Sequence, residues 1–216
     1  MNYAQARENM VESQIRPNHV TDGLVVAALA DLPREDFVPG RLKDVAYVDE
    51  ALAIGGGRHI MEPMVLARLL QTAAVQADDV ALVIGAGSGY EAAALSRLAS
   101  TVVALENDAA VAAKAGETLS GLGIDTVAVV EGALGLGYPD QAPYDVIFIN
   151  GAVASIPPVL ANQLAEGGRL VAVVGDGAVS RAVCVTRTDG VLNERDVFDA
   201  GTPVLPGFGA ASGFRF

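Results

Sequence analysis

Val80-Ala81-Leu82-Val83-Ile84 runs directly into Gly85-Ala86-Gly87-Ser88-Gly89, and a second apolar run, Val102-Val103-Ala104-Leu105, ends in Glu106. A short, wholly apolar run reads as a strand covered on both faces, the signature of a parallel sheet. Glycine after it lets the backbone turn tightly and approach a ligand, with free N–H groups expected at the start of the next helix. A dinucleotide fingerprint needs its third glycine five positions after the first, where Tyr90 stands. The spacing is therefore GxGxG, which argues against a nicotinamide dinucleotide. Glu106 closes the second strand, where a carboxylate can accept hydrogen bonds from both ribose hydroxyls. Gly85, Gly87, Ser88, Gly89 and Glu106 together predict a nucleoside site at the carboxyl edge of the sheet.

The pattern extends outward in both directions. Thr126 to Val130, Val146 to Ile149 and Arg169 to Val174 are further apolar runs, with helical patterns at about 90–99, 108–121 and 156–166. Such β/α alternation predicts an α/β, doubly wound, mostly parallel sheet built by right-handed crossovers, with helices on both faces. Ala182 to Arg187 and Val197-Phe198 predict strands that end the sheet antiparallel, and Phe214-Arg215-Phe216 a last short one. Upstream, Ala4, Ala6, Met10, Val11 and Ile15 recur at roughly helical spacing. Pro17 breaks that run, and Thr21 or Asp22 can cap a second helix through Ala30. These helices predict an N-terminal cap over the carboxyl edge. Residues 33–63, punctuated by Pro39 and Gly55-Gly56-Gly57, read as irregular chain, and Met64 to Ala74 as a helix. No repeat or long linker divides the chain, so 1–216 is expected to form one domain: cap and substrate-side segment over 1–75, nucleoside-binding core over 76–216.

The 216 residues are 51% hydrophobic and 19% charged, which excludes a disordered or collagenous chain. Against 14 Lys and Arg stand 26 Asp and Glu, and a net charge of −12 repels polyphosphate, so no nucleic-acid partner is expected. The longest uncharged run, Val146 to Ala165, contains Asn150, Pro157, Pro158, Asn162 and Gln163 and would be costly in lipid, so no membrane span is expected. Arg7, Glu8, Glu12 and Arg16 interrupt any secretory stretch, and Cys184 is a lone cysteine, so a cytoplasmic location is expected. One cysteine and two histidines leave no zinc-type cluster, and no metal site is expected.

The loop and acid resemble those of class I S-adenosylmethionine-dependent methyltransferases, with a Rossmann-like fold. The flanks resemble the protein-L-isoaspartate O-methyltransferase family. The matching segments are Pro33 to Pro39, Ala46-Tyr47, Ile54 to Gly57, Ile84 to Tyr90, Gly137-Tyr138-Pro139, Ala142 to Ile147, Ile156-Pro157-Pro158 and Gln163-Leu164 with Gly167 to Val171. The resemblance covers about residues 7–190 and implies S-adenosylmethionine as cofactor and a protein or peptide carboxylate as acceptor. It places His59, Met61 and Asn150 on the substrate side and Gly132 beside the cofactor. Methylating a carboxylate needs no general base, because the acceptor is already ionised at neutral pH and the sulfonium supplies the electrophile.

Three positions depart from the family. Met61 stands where the family has a substrate-side serine, Val83 where it has an acid two residues before the first glycine, and Ala133 where it has an aspartate expected to take the adenine amino group. Each missing acceptor for a buried donor costs roughly 1–3 kcal/mol, which predicts weakened cofactor binding and slow transfer. Glu131, Glu62 or water are the replacements within reach. The departures also motivate a second reading, a catalytically degenerate relative serving as a binding or assembly module, and a third, a methyltransferase for another small acceptor.

Overall fold

The computed structural model describes residues 1–175 and 180–210. The expected strand at Phe214 to Phe216 lies outside them. The chain opens with α1 (Tyr3–Met10), capped by the Asn2 side chain on the Gln5 N–H, and continues through a π-turn and a 3-10 turn to Asn18. Helix α2 (Gly23–Asp31) is capped by the Asp22 carboxylate on Leu24 and Val25. The segment read as irregular contains two 3-10 turns and a hairpin, β1 (Leu52–Gly55) and β2 (Arg58–Ile60), joined through Gly56-Gly57. All three glycines, Gly55 to Gly57, have positive φ, which explains the run. The hairpin escaped the sequence reading because its strands are only four and three residues long.

Helix α3 (Pro63–Ala73) leads to β3 (Val80–Ile84), α4 (Tyr90–Ser96), β4 (Thr101–Glu106), α5 (Ala109–Gly121) and β5 (Val127–Glu131). Then follow β6 (Tyr144–Val153), α6 (Pro158–Ala161), β7 (Leu164–Val174), β8 (Arg181–Thr188) and β9 (Val191–Asp199). The seven-stranded sheet has the order β5-β4-β3-β6-β7-β8-β9. Its first five strands are parallel and its last two antiparallel, as expected. The order reverses between β3 and β6, and a doubly wound sheet binds ligands in the crevice outside the carboxyl ends at that point.

Alternate residues of the central strands separate into two cores. Ala81, Val83, Val102, Ala104, Val146 and Phe148 pack against α1 to α4, whereas Leu82, Ile84, Val103, Leu105, Ile147 and Ile149 face the other way. The second face is covered thinly. The helix expected over 156–166 is only the four residues of α6, because Tyr144 N–H bonds the Gln163 carbonyl (2.8 Å) and Leu164 already pairs with Tyr144 in the sheet. Leu134, Leu205 and Phe208 complete that layer. Strand β6 runs four residues beyond the expected Ile149 because Ala152 bonds a late segment, through Pro203 O (2.9 Å) and Leu205 N–H (2.8 Å). Among the described residues no helix is long and apolar enough to cross a membrane.

Candidate active site

The glycine loop turns where the sequence predicted, between β3 and α4. Gly85, Gly87 and Gly89 have φ of 83°, 55° and 90°, a region that L side chains rarely adopt. At Gly85 space is also limiting, since a Cβ would lie 2.8 Å from Leu205 Cδ1. Four of the loop's own N–H groups are engaged within the protein. Gly85 and Ala86 both donate to Leu105 O at 2.9 Å, Gly89 to Ala86 O at 2.8 Å, and Gly87 to Glu106 Oε2 at 3.1 Å. The end of β4 supplies these acceptors and fixes the loop. The Ser88 hydroxyl oxygen is buried without a hydrogen-bond partner.

Glu106 stands at the carboxyl end of β4 and is fully buried. Arg58, at the start of β2 and 4% exposed, grips it with both arms: Nη2 lies 2.7 Å from Oε1 and Nε 3.1 Å from Oε2. The Asn107 and Asp108 N–H groups add contacts of 2.8 and 3.2 Å to Oε1. Arg58 also donates to the Asn107 side-chain oxygen. Burial alone would raise the Glu106 carboxyl; the guanidinium and the backbone N–H groups outweigh it and hold the group below the usual carboxylate value.

A second buried carboxylate faces the other side of the loop. Glu91, in the first turn of α4, accepts the Met61 N–H at 3.0 Å and the Asn150 Nδ2 at 3.1 Å. The same Nδ2 donates to Gly85 O at 3.0 Å. Arg34, fully buried, holds Met61 from the opposite side through its carbonyl (2.8 Å), bonds Ala46 O (2.6 Å) and lies 4.9 Å from the Tyr90 ring centroid. Met61 is thus held by its N–H on a buried carboxylate and by its carbonyl on a buried guanidinium. Burial raises the Glu91 carboxyl above its ordinary value.

The three residues that the resemblance placed on the substrate side come together. His59, Met61 and Asn150 line one cavity with Arg58, Gly151 and the segment Thr202 to Leu205. It measures only about 10 Å³, room for a single water. Burial lowers the His59 pKa from its ordinary value, against a backbone hydrogen bond with Gly57 that raises it. Met61 is 2% exposed and packs in the main core, so the residue in the serine position is a packing residue. Tyr47 belongs to the cap: Arg7 donates to its hydroxyl at 3.0 Å, and that hydroxyl donates to Glu35.

Space for a ligand opens on the other side of Gly87. A cavity of about 480 Å³ is bounded by Phe37, Val38, Gly55, Gly87, Ser88 and the start of α5. That volume falls in the range of small-molecule sites. Val83 is fully buried in the core. Gly132 follows β5 and donates to Glu106 O at 2.9 Å, with Ala133 exposed beyond it. Of the proposed replacements, Glu131 is exposed and lies in register with Glu106, whereas Glu62 is half-buried, with its pKa raised by burial and Oε2 without a partner.

Sequence reasoning missed Arg58, Glu91 and the segment 202–208. The first two left a trace: an arginine directly after a triple glycine, and one acid ahead of the apolar stretch Ala92 to Leu95. The third left none, because its partner Ala152 lies some fifty residues earlier in the chain.

Comparison with known proteins extends this picture. Residues 5–199 match the family described as protein-L-isoaspartate(D-aspartate) O-methyltransferase. A protein-L-isoaspartate O-methyltransferase 1 of Rhodopseudomonas palustris is 43% identical over 187 residues, covering 86% of this chain and 76% of the relative. That of Koribacter versatilis is 39% identical over 197 residues, covering 91% and 89%. Among solved structures, a protein-L-isoaspartate O-methyltransferase superposes with a TM-score of 0.80 at 26% identity, covering 94% of this chain and 67% of that one. A Plasmodium falciparum structure in complex with S-adenosyl-L-homocysteine gives 0.79 at 19% identity, covering 95% and 98%, and shares the fold.

Proposed function

Because the chain belongs to the protein-L-isoaspartate O-methyltransferase family, we propose that it transfers a methyl group from S-adenosylmethionine to the carboxylate of an isoaspartyl residue in a protein or peptide. The observation that carries this reading is the buried carboxylate of Glu106 at the end of β4, held against Gly87 in the loop after β3, the strand beside which the order reverses. The residues fit the cofactor in kind: a glycine turn of positive φ, a buried hydroxyl without a partner at Ser88, and an adjoining cavity of about 480 Å³. Gly85 to Gly89 would cradle the nucleoside, Glu106 would accept its ribose hydroxyls, and Gly132 would border the base. When bound, the cofactor supplies an electrophilic methyl group on a sulfonium.

What remains for the chain is positioning and exclusion of water. Glu91 and Arg34 fix the Met61 peptide, and Asn150 ties the glycine loop to that same acid. Asn150 therefore acts as a brace for the loop, with its N–H groups already engaged. The test is transfer of radiolabelled methyl to an isoaspartyl peptide, with the aspartyl isomer as control. Transfer to the isoaspartyl peptide alone is expected; none, in a protein that binds S-adenosylhomocysteine, would overturn this reading.

A further inference from the structure

Glu106 has about four lone-pair positions, as any carboxylate does. Five N–H groups already converge on them: two from Arg58 and one each from Gly87, Asn107 and Asp108. The three backbone donors belong to the loop and the strand end and cannot leave without unfolding them. The two from Arg58 belong to a side chain on the separate β1/β2 hairpin, which approaches β4 from outside the seven-stranded sheet. A ribose diol brings the same kind of donor in the same number, two hydroxyls toward two carboxylate oxygens. Both cannot be held at once. Arg58 is also too well buried to be a casual surface pair, since its side chain is 4% exposed and that of Glu106 is 0%.

We infer that Arg58 sets the affinity of the nucleoside site by occupying it: a ribose reaches Glu106 only by exchange with the Arg58 guanidinium. The inference rests on the assignment of the ribose to Glu106. Its consequence is arithmetic. If the open form, with Arg58 turned away, is a minor fraction of the molecules, the apparent dissociation constant is the intrinsic one divided by that fraction. Glu106 retains its three backbone donors when the guanidinium leaves, so the carboxylate is not stranded.

The experiment is calorimetric titration of S-adenosylhomocysteine into the full chain and into Arg58→Gln, Glu106→Gln and the double variant. Arg58→Gln is expected to bind at least tenfold more tightly than the unaltered protein; equal or weaker binding would overturn the exchange and make Arg58 a support for Glu106. Glu106→Gln separates the two ideas. Weaker binding in both backgrounds keeps the ribose assignment whatever Arg58→Gln does, whereas unchanged binding removes the assignment and the exchange with it. The unaltered protein provides a check that needs no variant, namely the rate of phenylglyoxal modification at Arg58, followed by peptide mapping. S-adenosylhomocysteine is expected to accelerate it severalfold by turning the guanidinium out. Protection or no change would overturn the inference.

Discussion

Two buried carboxylates flank the glycine loop and live under different rules. At the end of β4, Glu106 meets a guanidinium and three backbone N–H groups, and its pKa falls; at the start of α4, Glu91 meets two neutral N–H groups, from Met61 and Asn150, and its pKa rises. Both side chains are almost fully enclosed, at 0% and 1% exposure, but Glu91 lies deeper, so burial raises it more. The partner adds to the difference. A guanidinium in contact keeps one carboxylate charged, and without one the other serves as an internal brace.

The largest effect is expected from Glu106→Ala. It leaves Arg58 buried without its counter-charge and removes the acceptor of three backbone N–H groups, and breaking a buried pair this way costs about 3–5 kcal/mol. Denaturant unfolding with linear extrapolation would measure it; a loss under about 1 kcal/mol would mean that the pair opens readily to water. Glu91→Ala should cost less, about 1–3 kcal/mol for the orphaned Met61 N–H. It should also lower kcat/KM for the isoaspartyl peptide, by loosening the segment that carries His59 and Met61. Arg58→Gln should be milder in stability, about 1–2 kcal/mol, because the carboxylate it exposes keeps three charge-assisted backbone bonds. A loss equal to that of Glu106→Ala would erase the asymmetry between the partners.

The smallest effect sharpens the comparison through pH. The Glu106 pKa in the folded state lies below its unfolded value, so its contribution is complete above the unfolded pKa, near 4.5, and is lost as pH falls through the folded value. The Glu91 pKa is raised, so its contribution is complete below the unfolded value and is lost as pH rises through the folded one. Glu106→Gln should therefore flatten the loss of stability on the acid side of about pH 4.5. Glu91→Gln should gain relative to the unaltered protein as pH rises toward neutrality. Unfolding free energies of both variants at pH 4, 5 and 7 would show opposite slopes; parallel slopes would mean that the two sites are electrostatically alike.

The sequence by itself determined the framework. All-apolar runs such as Val80 to Ile84 and Val102 to Leu105 have no stable place except a sheet covered on both faces, and Gly85, Gly87 and Gly89 can adopt left-handed angles that other residues avoid. The position of Glu106 followed from its strand, and the resemblance brought His59, Met61 and Asn150 to one place. Those conclusions rest on local chemistry and on spacing along the chain. Where an element's end depends on a distant partner, spacing was silent: Leu164 left the expected helix to pair with Tyr144, and Ala152 extended β6 by bonding residues 203 and 205. The occupancy of the site was decided in the same way. Arg58 and Glu106 are 48 residues apart, and only the folding of the β1/β2 hairpin onto the carboxyl edge of β4 brings a guanidinium onto that carboxylate. A charge in a sequence carries no mark of its partner, because the energy of the pair depends on distance and burial that only the tertiary structure supplies.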